Sequence, residues 1–187
     1  MPRLPKGFNA PPCGCDIIGV NMPESQILSR TYGRDAIDRR SEAREPTLDG
    51  ARAALECFYF AFNHRSLDAF EVVWAQGPLI SLNNPLGGIM RGLDDIQALY
   101  RRIFGGPARV WVEFYDIVEY AGQDTVVFAG RERGEFTRDG RTIPLAIRTS
   151  RVFQYFGGRL GWRQVHHHGS IDDPEALARY QRAVREV

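Results

Sequence analysis

Four side chains in the second half of the chain have the types that bind anions or transfer protons. Arg131, Arg151, Asp116 and His167 each lie in one of four long runs in which apolar and polar residues alternate. A guanidinium group offers forked donors to a carboxylate, phosphate or enolate oxygen, whereas imidazole and carboxylate groups act as general acids or bases. Together they indicate proton transfer on an anionic or enolisable small molecule.

Alternation along each run predicts the face on which these residues lie. Arg151 stands between Thr149 and Phe153 on the most apolar face of its run, and Asp116 interrupts an otherwise apolar face. A buried charge without a partner is costly, so one interpretation is an internal Arg–Asp or Arg–Glu pair, for instance Arg151 with Asp116. The other is an anion site at Arg131 and Arg151. The two interpretations are not exclusive.

Three consecutive histidines, His166, His167 and His168, occupy the last predicted strand. Alternation directs His167 inward as a candidate general acid or base, although an inward histidine held by a backbone or tyrosine partner fits equally well. His166 and His168 share the other face, where we expect hydrogen-bonded sheet residues or a subunit contact. A metal needs three or four converging ligands, and the sequence offers no matched third ligand nearby. We therefore expect neither a metal nor another cofactor.

Three aromatic residues at helical stripe positions complete the candidate ligand-binding set: Tyr59, Trp74 and Tyr100. Such positions are typical of a core. A buried tyrosine keeps its hydroxyl paired, so Tyr59 and Tyr100 are also candidates to present a hydroxyl group to a pocket.

The elements that position these residues follow from a change of hydrophobic period. Helical spacing begins near Asp49, Ser66 and Gly92, with a short strand at 79–83, and a last helix begins at Asp173. Between them the period changes to two in four runs, 108–120, 124–137, 142–156 and 159–170, which short glycine-containing turns connect.

Long adjacent strands with helices segregated on one face predict an α+β fold. Because long strands twist and curl, we expect a cone of curved antiparallel sheet, with three helices on its concave face and a further C-terminal helix. Such a cone encloses a pocket of small-molecule size. We predict this domain over residues 47–187.

Residues 1–46 are predicted to form a partly irregular N-terminal extension, lying on the domain or on a partner, with a short helix within 24–43. Cys13 and Cys15 fall in its Gly/Pro-rich leader. The three cysteines of the chain do not form a disulfide framework, so a cytoplasmic location is expected. The net charge of +1 gives no footprint for nucleic acid, and no apolar run approaches the roughly 20 residues of a membrane helix.

The stretch that begins at Arg148 with RTSRVF and continues at Gly161 with GWRQVHHHGS resembles the end of nuclear transport factor 2-like domains. It is most similar to SnoaL-like domains and to the association domain of calcium/calmodulin-dependent protein kinase type II. The likeness covers about residues 47–170 and implies the same cone-shaped, cystatin-like fold.

The resemblance also has implications for the site and for assembly. It implies that Arg131 and Arg151 match two arginines of a carboxylate-binding pocket, that Gly169 replaces a third arginine, and that His167 occupies an aromatic position. Members are commonly dimeric through the outer sheet face. In this chain that face is expected to carry Trp162, His166 and His168.

Two functions from different classes follow. The first is an isomerase-, dehydratase- or cyclase-type enzyme, as in the ketosteroid isomerase-like branch of the superfamily. In it His167 or Asp116 moves the proton, while Arg131 and Arg151 stabilise negative charge. The second is a non-catalytic carboxylate-binding or oligomerisation domain that uses the same arginines. The fold hosts both functions and does not choose between them.

Overall fold

The computed structural model describes residues 24–185. Its elements, in chain order, are β1 (Glu24–Leu28), α1 (Leu48–Asn63), α2 (Leu67–Val73), β2 (Ser81–Asn83), β3 (Ile89–Arg91), α3 (Leu93–Gly105), β4 (Arg109–Ala121), β5 (Thr125–Arg138), β6 (Arg141–Tyr155), β7 (Trp162–Ser170) and α4 (Pro174–Arg185). The four long strands begin and end within three residues of their predicted limits. Among residues 24–185, no helix is both long enough and apolar enough to cross a membrane.

The strands form one curved sheet in the order β1-β4-β5-β6-β7-β2-β3. Adjacent strands from β4 to β7 are antiparallel, as expected from their tight turns. The sheet is nevertheless mixed, because β2 pairs in parallel with β7. The predicted α+β fold is confirmed. The prediction of an antiparallel sheet is wrong at this one parallel pair.

Two helices begin at hydroxyl caps. The side chain of Thr47 accepts a hydrogen bond from Gly50 N at 3.0 Å and caps α1, two residues before the predicted start of helical spacing near Asp49. Ser66, where the second helix was predicted to begin, caps α2 and accepts a hydrogen bond from Ala69 N at 3.2 Å. Such caps satisfy backbone N–H groups that have no partner within the helix.

The described part of the N-terminal extension packs on the domain. β1 pairs with β4, and Tyr32, which is 2% exposed, belongs to the core. The helix expected within 24–43 is not formed, because the chain runs as a strand there and then makes a 3-10 turn only at Glu42–Arg44. The boundary at residue 46 stays a prediction, and Cys13 and Cys15 lie outside the described residues.

Two buried carboxylates hold this segment against α1 and β4. Glu56 receives Arg30 at 2.5 Å and Arg39 at 3.2 Å. Glu119 receives Arg52 at 2.8 Å and Gln26 at 2.8 Å. Both carboxylates are inaccessible to solvent. An unpaired buried carboxylate is unfavourable. The N-terminal segment therefore stabilises the domain by supplying partners for these two carboxylates.

Two irregularities interrupt the alternation of the long strands. In β4 the register shifts between Tyr115 and Val118, and Asp116 adopts a positive φ of 53°. In β7 the register shifts opposite Val152 and Phe153, so Val165 has no directly paired residue. Each β-bulge reverses the face on which the following side chains lie.

Candidate functional site

A cavity of about 740 Å³ lies between the concave face of the sheet and helices α1, α3 and α4. Its walls are mostly apolar, as the side chains of Phe58, Tyr100, Ile147 and Tyr180 illustrate. The size is in the range of small-molecule sites. Four charged or titratable side chains reach the cavity from the sheet: Glu132, Arg138, Arg151 and His167.

A buried hydrogen-bond network fixes the position of Arg151. Its Nη2 donates to Glu132 Oε1 at 2.9 Å, its Nε to Tyr59 Oη at 2.9 Å, and its Nη1 to Gln164 Oε1 at 3.0 Å. Tyr59 Oη in turn donates to Glu132 Oε1 at 2.5 Å. The guanidinium carbon lies 3.5 Å from the ring centroid of Phe58. Position and orientation of the guanidinium group are therefore fixed.

The charge of Arg151 is matched by that of Glu132. Burial acts to lower the pKa of Arg151, but Tyr59 and Glu132 outweigh it and the pKa lies above its ordinary value. Burial raises the pKa of Tyr59 well above its ordinary value, so its hydroxyl keeps its proton. The predicted internal Arg–Glu pair is therefore present, with Glu132 and not Asp116 as the partner of Arg151.

His167 lies in the cavity wall and is 5% exposed. Within residues 24–185, neither of its ring nitrogens has a hydrogen-bond partner. Burial, and then the positive charge of Arg151, hold the pKa of His167 well below its ordinary value of 6.5. A neutral imidazole carries one donor and one acceptor, and in His167 both are without a protein partner.

The three aromatic candidates are all buried but differ in their relation to the cavity. Tyr100 lines it, and burial raises the pKa of its hydroxyl, which therefore stays protonated. Tyr59 lies behind Arg151 and Glu132 and acts on the cavity through them. Trp74 packs in the core against Phe70 and is not part of the cavity wall.

The predicted inward placement of Asp116 and Arg131 is wrong. Their side chains are 64% and 60% exposed and pair with each other at 3.4 Å, outside the cavity. Asp116 is turned outward by the bulge in β4. Arg131 is outward because Phe128 and Glu132 occupy the inner face of β5.

Two residues of the polar network were missed in the sequence, and only Glu132 had a readable signal. Glu132 keeps strict alternation with Phe128 and Phe136 along β5, which places it on the inner face. Gln164 lies on the inner face because of the bulge at Val165, which alternation in the sequence does not reveal. The contribution of α4 to the cavity wall, through Tyr180, was not foreseen.

The same bulge changes the residues expected on the outer face. Trp162 is 3% exposed, and its indole N–H donates to Glu45 O at 3.0 Å, so its predicted outward placement is wrong. His166 Nδ1 lies 2.7 Å from Ser81 Oγ, and His168 Nδ1 lies 3.2 Å from Asn83 Nδ2. Both histidines are hydrogen-bonded sheet residues. Across the described part of the chain, no three His, Cys, Asp or Glu side chains cluster as a metal site would require.

A known protein family matches most of the domain. The model of the SnoaL-like domain matches residues 51–174. The chain belongs to the SnoaL-like domain family. Comparison with curated proteins gives no significant match.

Solved structures agree with membership of the SnoaL-like family. A protein from Thiobacillus denitrificans, whose name refers to the calcium/calmodulin-dependent protein kinase type II association domain, is 31% identical over 65% of this chain and 94% of that chain, with a TM-score of 0.52. A nuclear transport factor 2-like superfamily protein from Salmonella enterica is 18% identical over 70% of this chain and 91% of its own, with a TM-score of 0.58.

A third similar structure, from Streptomyces avermitilis, bears a name that refers to a dehydratase of the nuclear transport factor 2-like family. It is 17% identical over 66% of this chain and 94% of that chain, with a TM-score of 0.56. At this level of identity, and at that of the Salmonella protein, the likeness shows the fold.

Proposed function

We propose that this protein binds a small, mainly apolar organic molecule in the cavity and transfers a proton on it through His167. The observation that carries the proposal is the buried imidazole in the wall of a cavity of about 740 Å³, with both nitrogens unpaired among the described residues. Buried polar atoms without partners are rare in folded proteins. A ligand that accepts a hydrogen bond from one ring nitrogen, or donates a hydrogen bond to the other, supplies the missing partner.

Of the anionic and enolisable ligands expected from the sequence, the charged pair Arg151–Glu132 supports a neutral, enolisable one. Arg101, Arg102 and Arg138 also line the cavity, and Arg138 pairs with Asp139 at 3.3 Å. Arg151 is neutralised by Glu132 at 2.9 Å, and Arg131, the second predicted cation, is exposed outside the cavity. A free carboxylate placed beside Arg151 also lies beside the carboxylate of Glu132, which opposes its binding. An enolisable carbonyl compound avoids this repulsion when it binds, because it is uncharged until the proton is removed.

The proposed chemistry follows from the neutral state of His167. As a base, the imidazole removes a proton next to a carbonyl group and becomes an imidazolium ion. Arg151 uses three of its five N–H donors in the protein network, so two remain for the enolate oxygen. Because its pKa is depressed, the imidazolium is a strong acid and returns the proton quickly.

Return of the proton to a different atom defines the reaction class. Delivery to another carbon gives an isomerase, and delivery to a leaving hydroxyl group gives a dehydratase. The name of the similar Streptomyces avermitilis protein refers to the second class, which supports keeping dehydration among the reactions to be tested.

Deuterium exchange into 2-tetralone, a neutral enolisable ketone, tests the proton transfer without knowledge of the natural substrate. Proton NMR in D₂O measures the loss of its α-hydrogens. We expect the wild type to accelerate exchange over buffer and His167→Ala to lower the enzymatic rate by about a hundredfold. His168→Ala, a change at the exposed neighbour on the same strand, is the matched control and keeps the wild-type rate.

A non-catalytic binding domain is the second candidate function. The network around Arg151 supports it, because Arg151 and Glu132 already satisfy each other's charge. The name of the Thiobacillus denitrificans relative, which refers to an association domain, points the same way. Saturable binding of 2-tetralone without any acceleration of exchange would favour this candidate over the enzyme.

We also infer a homodimer through the outer face of the sheet and a cytoplasmic location. Val118, Ala129 and Val152 are small apolar residues, only partly buried, on neighbouring strands of that face. Sedimentation equilibrium tests the dimer, and Ala129→Arg is expected to shift it to monomer.

The cytoplasmic location is supported by Cys57, the cysteine among the described residues. It is a free thiol, as expected in a reducing compartment.

A further inference from the structure

A second cleft, of about 340 Å³, lies away from the main cavity, where the N-terminal segment meets α2 and the start of β7. Its lining is mostly polar and includes three arginines. The residues are Asp38, Arg40, Ser41, Arg44, Val72 and Arg163.

The backbone at Gly161 fixes the side of this cleft that joins Arg44 to Arg163. Gly161 has a positive φ of 73°, and a Cβ atom added there would lie 2.3 Å from Ala43 O. The 3-10 turn therefore packs directly on the glycine backbone. Tyr155 Oη donates to Arg44 O at 3.2 Å and holds the same turn in place.

The charges of the cleft do not balance. Asp38 pairs with Arg40 at 2.6 Å, so these two neutralise each other. Within the described residues, neither Arg44 nor Arg163 has a carboxylate within 4.0 Å. Burial, and then the positive charge of Arg44, lower the pKa of Arg163. The two guanidinium groups repel each other, and a bound anion relieves that repulsion.

We propose that this cleft binds a small oxyanion, namely phosphate or the phosphate group of a monoester, between the guanidinium groups of Arg44 and Arg163. Forked N–H donors match the oxygens of such an anion, and the Ser41 hydroxyl group at the cleft wall is a further donor. Because Arg163 is partly buried, its contact with the anion is less screened by solvent than that of a surface arginine. The site is separate from the cavity of the proposed proton transfer.

Isothermal titration of the full chain with inorganic phosphate, and separately with phenyl phosphate, tests the site. We expect both probes to bind with a Kd below about 10 mM. Arg163→Gln and Arg44→Gln should each raise the Kd by about tenfold or more, because each removes charge-assisted hydrogen bonds. Arg159→Gln, at an exposed arginine on the neighbouring turn that does not line the cleft, should leave the Kd unchanged.

The two probes separate the sources of the phosphate group. Tighter binding of phenyl phosphate indicates an organic phosphate, and equal binding indicates the inorganic ion. Circular dichroism checks that each variant folds, and the exposed Arg44→Gln substitution decides if Arg163→Gln does not fold. Absence of binding by the wild type at about 10 mM of either probe, or a Kd that Arg44→Gln leaves unchanged, overturns the proposal.

Discussion

Arg151 Nη2 lies 2.9 Å from Glu132 Oε1, and the two side chains are only 1% and 4% exposed. The pair spans β5 and β6 on the inner face of the sheet and forms part of the cavity wall. Its geometry has two consequences. It leaves this part of the cavity wall without net charge, which directs the choice of ligand, and it makes either partner costly to remove alone.

Removal of one partner should destabilise the protein strongly. Arg151→Met leaves Glu132 buried without its cation, and we expect a loss of about 3–5 kcal/mol in the free energy of unfolding. Urea denaturation followed by circular dichroism measures the change. The double variant Arg151→Met, Glu132→Gln should recover part of the loss, because it removes the unpaired charge.

The exposed pair Arg131–Asp116 is the matched control for this experiment. Its side chains are 60% and 64% exposed and lie 3.4 Å apart. Solvent screens such a pair, so Arg131→Met should change the free energy of unfolding by less than about 1 kcal/mol. Equal losses for Arg131→Met and Arg151→Met would contradict the assignment of one pair to the interior and the other to the surface.

His167 should make stability depend on pH. The unfolded chain protonates this histidine near its ordinary pKa of 6.5, whereas burial and Arg151 hold the pKa in the folded state well below that value. The unfolded state therefore binds more protons, and stability falls as the pH drops below about 6.5. At about pH 5 the loss due to His167 should be roughly 2 kcal/mol.

A variant isolates this contribution from those of other titrating groups. His167→Phe keeps an aromatic ring of similar size but has no group to protonate. Urea denaturation at about pH 7.5 and about pH 5 should show a smaller loss in His167→Phe than in the wild type, by about 2 kcal/mol. His168→Phe, at the exposed neighbour, should keep the wild-type dependence. Parallel pH profiles for wild type and His167→Phe would mean that His167 is not held neutral in the folded state.

The N-terminal segment should behave as part of the fold. Tyr32 is 2% exposed, and its ring centroid lies 6.3 Å from that of Tyr59. Tyr32→Ala should lower the free energy of unfolding by about 3–5 kcal/mol, as for other buried aromatic residues. Ile27→Ala in the same segment is the control, since Ile27 is 77% exposed and the change should cost less than about 0.5 kcal/mol. If Tyr32→Ala left the free energy of unfolding unchanged, the N-terminal segment would not be an integral part of the fold.

Gly161 should tolerate no side chain. Its φ is 73° and an added Cβ would lie 2.3 Å from Ala43 O, whereas Gly140, with a φ of 74°, has nothing within 4 Å of such an atom. Gly140→Ala should therefore show only the backbone cost of roughly 1–2 kcal/mol. Gly161→Ala should cost clearly more in urea denaturation, because the 3-10 turn must also move. Equal costs at the two glycines would argue against direct packing of the turn on Gly161.

The fold could be predicted from the sequence, because the order of helices and long strands follows from local hydrophobic patterns. The change of period from 3.6 to 2 after α3 and the glycine turns defined β4 to β7 within three residues. The short strands were harder to predict. β1 and β3 span only five and three residues, and so few positions leave no periodic signal. In addition, the partner of β1 is the distant strand β4.

The site was predictable only where alternation is unbroken. Arg151 lies on the inner face of β6 as predicted. Asp116 was misplaced, and Gln164 was missed, because a bulge adds one residue to a strand and reverses the faces beyond it. Nothing in the residue types marks Val165 as such a position. Arg131 was misplaced although alternation in β5 is unbroken, because the set that contains Phe128, Glu132 and Phe136 occupies the inner face and the set that contains Arg131 the outer one.

Binding of a neutral and an anionic probe of similar size to cavity variants tests the central claim most directly. Isothermal titration compares 2-tetralone with 2-naphthoate on the wild type, Ile147→Trp and Ala146→Trp. Ile147 lines the cavity, whereas the neighbouring Ala146 is exposed on the other face of β6. We predict that 2-tetralone binds the wild type and Ala146→Trp with equal affinity, and Ile147→Trp about tenfold or more weakly. We also predict that the wild type binds 2-tetralone more tightly than 2-naphthoate. Equal affinity of 2-tetralone for both tryptophan variants, or tighter binding of 2-naphthoate, would contradict a cavity that takes a neutral organic molecule.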